Sequence, residues 1–280
     1  MGAMRVSAVR TAAGLWLALV APTATAGVRL ELSSELRDGG AGAATVPEHF
    51  LVWIDGGRLA AEPTQPGGAL AGRRVVFRAR EDVAWLVDTG ARSYFQIDPK
   101  SAQEMAAQVA GLRDGVARGI EGLAPEQRAR VQELLGDLAT PPPVARPVLR
   151  IQPTGGRATQ AGIACAQQEI FEGERRVAVA CVADGASGPL TRERVAAVSA
   201  LGSFARRTLG PLAQAFPSLA PLAPLAALER LGGLPLAVVS AESDAGVRQT
   251  KVLRFAEAAV DPALFEVPAG FTRSALPPFE

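Results

Sequence analysis

The chain has one histidine, His49, one tyrosine, Tyr94, two lysines, Lys100 and Lys251, and two cysteines, Cys165 and Cys181. Each scarcity removes a class of chemistry. A zinc site needs three or four ligands, and one histidine cannot supply them once the cysteines are paired. A His-dependent triad would have to use His49, but no G-x-S-x-G elbow exists. The stretch Pro47-Glu48-His49-Phe50 precedes a strand, where a surface histidine belongs. No D-x-D-x-D-G calcium loop, G-x-G-x-x-G turn or Walker loop occurs. The acidic residues Asp55, Glu81 and Asp82 fall in expected turns, where carboxylates are common. No nucleophile–base pair is visible. The expectation is a non-catalytic chain without cofactor or metal. The net charge of +1 excludes the basic footprint of a nucleic-acid binder.

Long hydrophobic runs are also missing. Thr11–Val20 is apolar but shorter than the roughly 20 residues that span a bilayer. Arg5 and Arg10 precede it, and Ala24-Thr25-Ala26 follows as a small-residue cleavage site. Residues 1–26 therefore read as a secretory signal peptide. Gly27 follows the site, with no cysteine to lipidate. The expected product, residues 27–280, is periplasmic or secreted, with no integral membrane segment in the mature chain. From Leu209 to Leu228 no residue is charged, but Pro211, Pro217, Pro221 and Pro224 would break a spanning helix repeatedly. Short helical turns joined by kinks fit better.

What is present is periodic. Val28, Leu30, Leu32 and Leu36 alternate with Arg29, Glu31, Ser33, Glu35 and Arg37, the pattern of a strand with one wet face. Strands are expected at Phe50–Ile54, Arg58–Glu62, Arg74–Ala79, Val83–Asp88 and Arg92–Ile97. Their connections are mostly short, which argues for an antiparallel meander. The period then changes. Ser101-Ala102-Gln103-Glu104 reads as a capping box, and Met105, Val109, Leu112, Val116 and Ile120 recur at helical spacing as core. A second helix starts at Pro125 with Val131, Leu134, Leu135 and Leu138 inward. Thr140–Pro147, with prolines at 141, 142, 143 and 147, is a stiff spacer and a candidate domain boundary. Val148–Gln152 is a strand. A helix capped by Thr191 carries Val195, Val198, Leu201 and Phe204. Leu236–Glu242 and Val247–Glu257 form a closing hairpin.

The stretch Ala158–Asp184 holds both cysteines in two β-prone runs around a Gly173 turn. A three-residue loop, Glu172–Glu174, would set Cys165 directly opposite Cys181. Facing Cα atoms in a non-hydrogen-bonded pair lie about 4.5 Å apart, within disulfide range. A two-residue loop would put Cys165 opposite Ala180 and require a bulge. A cross-strand disulfide is expected, closing a loop worth about 3 kcal/mol in the chain-entropy model.

Three short motifs carry a family resemblance. Trp85-Leu86-Val87-Asp88 is followed by Tyr94, Gln96 and Ile97; Gly162-Ile163-Ala164-Cys165 opens the cysteine hairpin; and Phe265-Glu266-Val267-Pro268-Ala269-Gly270-Phe271 closes the chain. Together they resemble uncharacterised exported bacterial proteins with the fold of the periplasmic lipoprotein carriers, the LolA/LolB type. The resemblance implies an α+β fold: a strongly curved antiparallel sheet, an unclosed β-barrel, with helices over the concave face. It implies one domain, from which this chain departs by helical insertions near 101–138 and 191–231 that are longer than a minimal carrier needs. It further implies a hollow that takes acyl chains. The expected role is to bind an apolar ligand, lipid or lipid-modified partner in the periplasm. Trp53, Trp85, Tyr94, Phe204, Leu212, Phe216, Leu219, Leu222 and Leu225 are the candidate ligand-binding residues. The alternative is an envelope protein-interaction module without a small-molecule ligand, using an edge of the sheet or its outer face at Arg29, Glu31, Ser33, Glu35 and Arg37. The partner is then a lipid or lipoprotein acyl chain in the first case, an envelope protein in the second, and nucleic acid in neither.

Overall fold

The structure, a computed structural model, describes residues 26–37, 46–67, 70–135, 148–183, 185, 190–210, 212, 225–242 and 246–274. Residues 1–25 of the expected signal peptide, the linker 141–147 and the candidates Phe216, Leu219 and Leu222 lie outside these residues; Ala26, its last expected residue, pairs with Ala259 in the sheet.

Twelve strands form one sheet. They are β1 (Ala26–Arg37), β2 (Glu48–Asp55), β3 (Arg58–Pro63), β4 (Arg73–Arg78), β5 (Val83–Asp88) and β6 (Ser93–Ile97) before the helices. After them come β7 (Leu149–Gln160), β8 (Ile163–Glu172), β9 (Arg175–Ala183), β10 (Pro235–Glu242), β11 (Gly246–Ala259) and the two-residue β12 (Thr272–Arg273). The order across the sheet is β12-β6-β5-β4-β3-β2-β1-β11-β10-β9-β8-β7. All neighbours are antiparallel except β12, which runs parallel to β6. The expected meander is thus β1–β6, and the closing hairpin β10–β11 joins it through β1. The sheet is not closed. Strands from both sides of the proline-rich linker belong to it.

The sheet is curved, with α3 (Ala196–Phe204) in its hollow. One continuous buried cluster runs across it from Phe77 on β4 to Cys181 on β9. Val28, Leu30, Ile54, Leu59 and Phe77 face Val195, Val198 and Phe204 there. The rings of Phe77 and Phe204 are 5.3 Å apart between centroids. The fold class is therefore α+β, a curved antiparallel sheet with helix on its concave face.

Several expectations shift. α1 (Pro99–Glu121) starts two residues before Ser101, and its cap is Asp98, not Ser101. The Asp98 carboxylate accepts from Ser101 N–H at 2.9 Å, and Asp98 N–H donates to Ser101 Oγ at 3.1 Å. Pro99 is suited to this first turn, where its missing N–H costs nothing. α2 (Pro125–Leu135) follows. The apolar stripe of α1 is only partly core: Val109 is buried, Met105, Val116 and Ile120 are half-buried, and Leu112 is 61% exposed. The helix touches α2 and residues 205–209. Among the described residues no helix is long and apolar enough to cross a membrane.

The disulfide Cys165–Cys181 is present, but the two residues are not directly opposite. Cys165 faces Ala183 and Cys181 faces Gln167, so the bond runs diagonally across β8 and β9. The turn uses Gly173 and Glu174, and a bulge at Ile170/Phe171 adds one residue to β9. Cα atoms of the pair are 5.3 Å apart, inside the usual disulfide range. β7 is longer than expected because its second half, Arg157–Gln160, pairs with β8 beyond a bulge at Pro153–Gly156. The tight turn Ala161-Gly162 joins them, with φ of +50° and +78°. Two consecutive positive φ values are the signature of a primed hairpin turn.

Candidate functional site

The nine candidate ligand residues do not share one face. Residues paired directly across strands point the same way, so the β1–β6 register sorts them. Val28, Ile54, Leu59, Phe77 and Ala84 form one row on the inner face. Trp53, Ala60, Val76 and Trp85 form the neighbouring row, on the outer face. Tyr94 pairs with Val87 and belongs to that outer face as well.

A chain segment covers these aromatics. Residues 260–274 run back across the outer face of β2–β6. Phe265 is wholly buried among Ala60, Val76 and Val87, with Trp53, Trp85 and Tyr94 packed around it. The Arg58 guanidinium sits 4.7 Å from the Phe265 ring centroid, and Asp55 holds that arginine. Arg78 donates twice to Glu266, at 2.7 and 2.9 Å. Thr272 and Ser274 N–H groups bond the Arg92 and Tyr94 carbonyls, and β12 ends the strap. Trp53, Trp85 and Tyr94 therefore form the bed of an intramolecular strap.

Phe204 and Leu212 lie on the other side. They are 1% and 5% exposed, and Leu225 is half-buried at the start of a 3₁₀ turn over residues 225–229. That turn packs hard on α3. A Cβ at Gly202 would stand 2.1 Å from Glu229 N, so only glycine fits. After Phe204 the helix widens into a π-turn, Ala205–Leu209. Arg207 bonds Asp82 in the β4–β5 turn at 2.8 Å. Arg206 makes a two-point bond to Glu229, at 2.7 and 3.1 Å. That hydrogen bond holds the Glu229 carboxyl below its ordinary range. Ala197 N–H donates to Gly56 O, fixing the start of α3 on the β2–β3 turn. Thr208 Oγ1 is buried in the π-turn and has no hydrogen-bond partner among the described residues.

The far side of the sheet is differently built. Val239, Val247 and Leu253 are 38–39% exposed. β7 is the last strand, and from Gln152 to Thr159 only Gly156 is not fully exposed. A shallow cavity of about 310 Å³ lies at the β7–β9 end, lined by Arg157, Ala164, Ala166, Val182, Arg192 and Leu231, among others. None of its described lining residues is acidic; Asp184, between Ala183 and Gly185, lies outside the described residues. Sequence reading missed this region. The doublet Gly155-Gly156 within a β-prone stretch is the signal that could have shown a bulged, continued strand.

His49 stands on β2 and lines a shallow cavity of about 270 Å³ with Val46, Phe50, Pro63 and Leu70. Among the described residues no three His, Cys, Asp or Glu side chains gather as metal ligands. The outer row of β1 is partly self-neutralised: Arg29 pairs with Glu31 and Arg37 with Glu35.

No protein-family model and no curated protein matches the chain. Solved structures do. The Pseudomonas aeruginosa MucA/MucB complex matches over 88% of this chain at 11% identity and a TM-score of 0.35. The crystal structure of MucB matches over 89%, at 10% identity and 0.35. The chain spans 57% and 59% of those two chains. The LolA superfamily protein NE2245 from Nitrosomonas europaea matches over 86% of this chain and 90% of its own, at 6% identity and 0.34. At such identities and TM-scores no residue role transfers from them, and the site rests on this chain's own geometry.

Proposed function

We propose that the mature chain is an exported, non-catalytic binding module whose partner is a protein of the cell envelope. One observation carries this reading: the hollow of the sheet is filled by the chain itself. Leu190, Val198 and Phe204, at 1%, 5% and 1% exposure, occupy the space that a carried ligand would need. The outer aromatics are likewise taken up by the strap. Among the described residues, what stays uncovered is the outer face of β10–β11 and the edge at β7. An antiparallel sheet with one wet face is stable alone, yet it also offers a flat surface to a partner.

Native mass spectrometry of the mature protein from its own periplasm, with cross-linking, tests this. The expected result is the mass of the oxidised, unliganded chain, and cross-links from β7–β11 to another polypeptide. A stoichiometric acyl lipid in the organic extract would contradict it.

The second reading, an apolar cargo such as a lipid or lipoprotein acyl chain, has one observation in its favour. The π-turn Ala205–Leu209 buries a hydroxyl that no described residue satisfies, Thr208 Oγ1, just before the uncharged stretch Leu209–Leu228. An unsatisfied buried group costs about 1–3 kcal/mol and marks a place where packing can rearrange. Titration with a fluorescent fatty acid separates the readings. Saturable binding competed by unlabelled acyl chains favours cargo, and its absence favours the protein partner.

A further inference from the structure

The free edge of the sheet is specific in its charge and in where it can be paired. β7 bonds β8 on one side; among the described residues no strand pairs with its other side, and only its Gln160 end reaches β11. Bulges and prolines are devices that stop edge-to-edge pairing. Here they act only at the strand's middle: Pro153, Gly155 with φ +77°, and the bulge up to Arg157. Beyond them the ladder is regular again, with Arg157 facing Ala166, Ala158 facing Cys165, Thr159 facing Ala164 and Gln160 facing Ile163. This short run is held firmly. The Cys165–Cys181 bond ties its neighbour strand to β9, and Gln160 Nε2 donates to Val252 O at 2.6 Å.

The charge along this run is of one sign. β7 contains Arg150 and Arg157 and no acidic residue. Arg150 is engaged, lying 4.4 Å from the Phe171 ring centroid and bonding Gln152. The guanidiniums of Arg157 and Arg192 have no partner among the described residues, and both line the 310 Å³ cavity. Their neighbours Glu169 and Glu172 on β8 are neutralised by Arg176 and Arg175. Arg157 and Thr159 point to the same face of the sheet as Ala164, Ala166 and Val182, which floor the cavity. A strand added beside Arg157–Gln160 would place every second side chain over that floor. Guanidinium forks recognise carboxylates there better than any neutral group.

We propose that Arg157–Gln160 docks an extended acidic peptide segment of the partner protein. The segment adds to the sheet as a thirteenth strand, and carboxylates at alternate positions meet Arg157 and Arg192. This rests on the protein-partner reading above and names its surface. Main-chain hydrogen bonds supply affinity and the arginine pair supplies selection, as in other strand-addition complexes. The bulge limits pairing to a few residues. A second copy of this chain is a poor occupant, because it would bring the unpaired arginines of two molecules together.

The test uses the mature, disulfide-intact protein and a short synthetic peptide alternating glutamate and valine, followed by fluorescence anisotropy. The expected result is saturable, salt-sensitive binding that a lysine–valine peptide does not reproduce. The double variant Arg157→Glu/Arg192→Glu, with unchanged circular dichroism and an intact disulfide, should lose about tenfold or more in affinity. A peptide with alternate amides N-methylated should lose as much, because it cannot join the ladder. Binding that survives either change overturns the proposal. So does equal competition by inorganic phosphate, which would mean a free-anion site, and so does concentration-dependent dimerisation through the same residues. The two readings fail separately. A periplasmic partner whose cross-linking ignores the double variant sinks the edge but keeps the protein-partner reading. Fatty-acid occupancy sinks that reading itself.

Discussion

The two sides of this sheet solve the same problem by different means. Strands β2–β6 are covered twice, by α3 on the inner face and by residues 260–274 on the outer. Strands β7–β11 are covered more thinly. Ala227 and Leu231 seal a small cluster around Ile170, Ala178, Ala180 and Val182, and the outer face stays wet. Where the first side has Phe265, the second has a disulfide. The covalent tie is itself buried: Cys165 and Cys181 share the main core cluster with Leu190, Leu234 and Leu236. The contrast shows that the side with the thinner cover is the one that also carries a covalent tie.

The largest expected effect is on the doubly covered side. Phe265→Ala should cost about 3–5 kcal/mol in urea unfolding, since it empties a fully enclosed site between sheet and strap. A loss below about 1 kcal/mol would mean that the strap is an attachment and not part of the core. Replacing both Cys165 and Cys181 by alanine should cost about 3 kcal/mol, given a sequence separation of 16. The contrast between the sides sharpens if hydrogen exchange then quickens in β7–β9 and stays unchanged in β2–β6. It breaks if both sides respond alike.

Smaller still is the cap of α1. Asp98→Ala should cost about 1 kcal/mol and fray the helix. Its pH dependence has a definite sign. Burial alone would raise the Asp98 carboxyl, but hydrogen bonds from Ser101, Gln96 and the Lys100 amide outweigh it and leave it below its ordinary value of 3.8. A depressed carboxyl contributes stability that is fully present above that ordinary value. The contribution is lost as pH falls through the lower, folded value. Circular dichroism should show α1 loosening below about pH 3.8 in the natural chain, with Asp98→Asn removing that acid step.

Much of the frame was legible in the sequence because its signals were local. Val28–Arg37 alternates apolar and polar residues, and Val83–Asp88 is a short apolar run between hairpin-sized turns; both strands fall where those signals say. The disulfide was legible from two cysteines flanking one glycine turn. Its register was not, because a bulge at Ile170/Phe171 leaves no mark in the alternation of so short a hairpin. The candidate site was less legible. Trp53 and Phe204 look equally like ligand contacts in sequence, yet they face opposite sides of the sheet. Only the return of Phe265 across β3 and β4 reveals what Trp53 is for, and that is a contact over more than two hundred residues. The stripe from Met105 to Ile120 has the right period for burial, but period says nothing about whether a partner surface is there. Arg157 and Arg192 became a pair only when β7 continued past its bulge.

Hydrogen exchange on the mature, oxidised protein decides whether the hollow is permanently filled. Slow exchange is expected along β2–β6 and in α3, and fast exchange at the unpaired amides of Arg157–Gln160. Exchange in α3 as fast as at that edge would contradict it, since the helix would then be a plug that opens and the hollow a place for cargo.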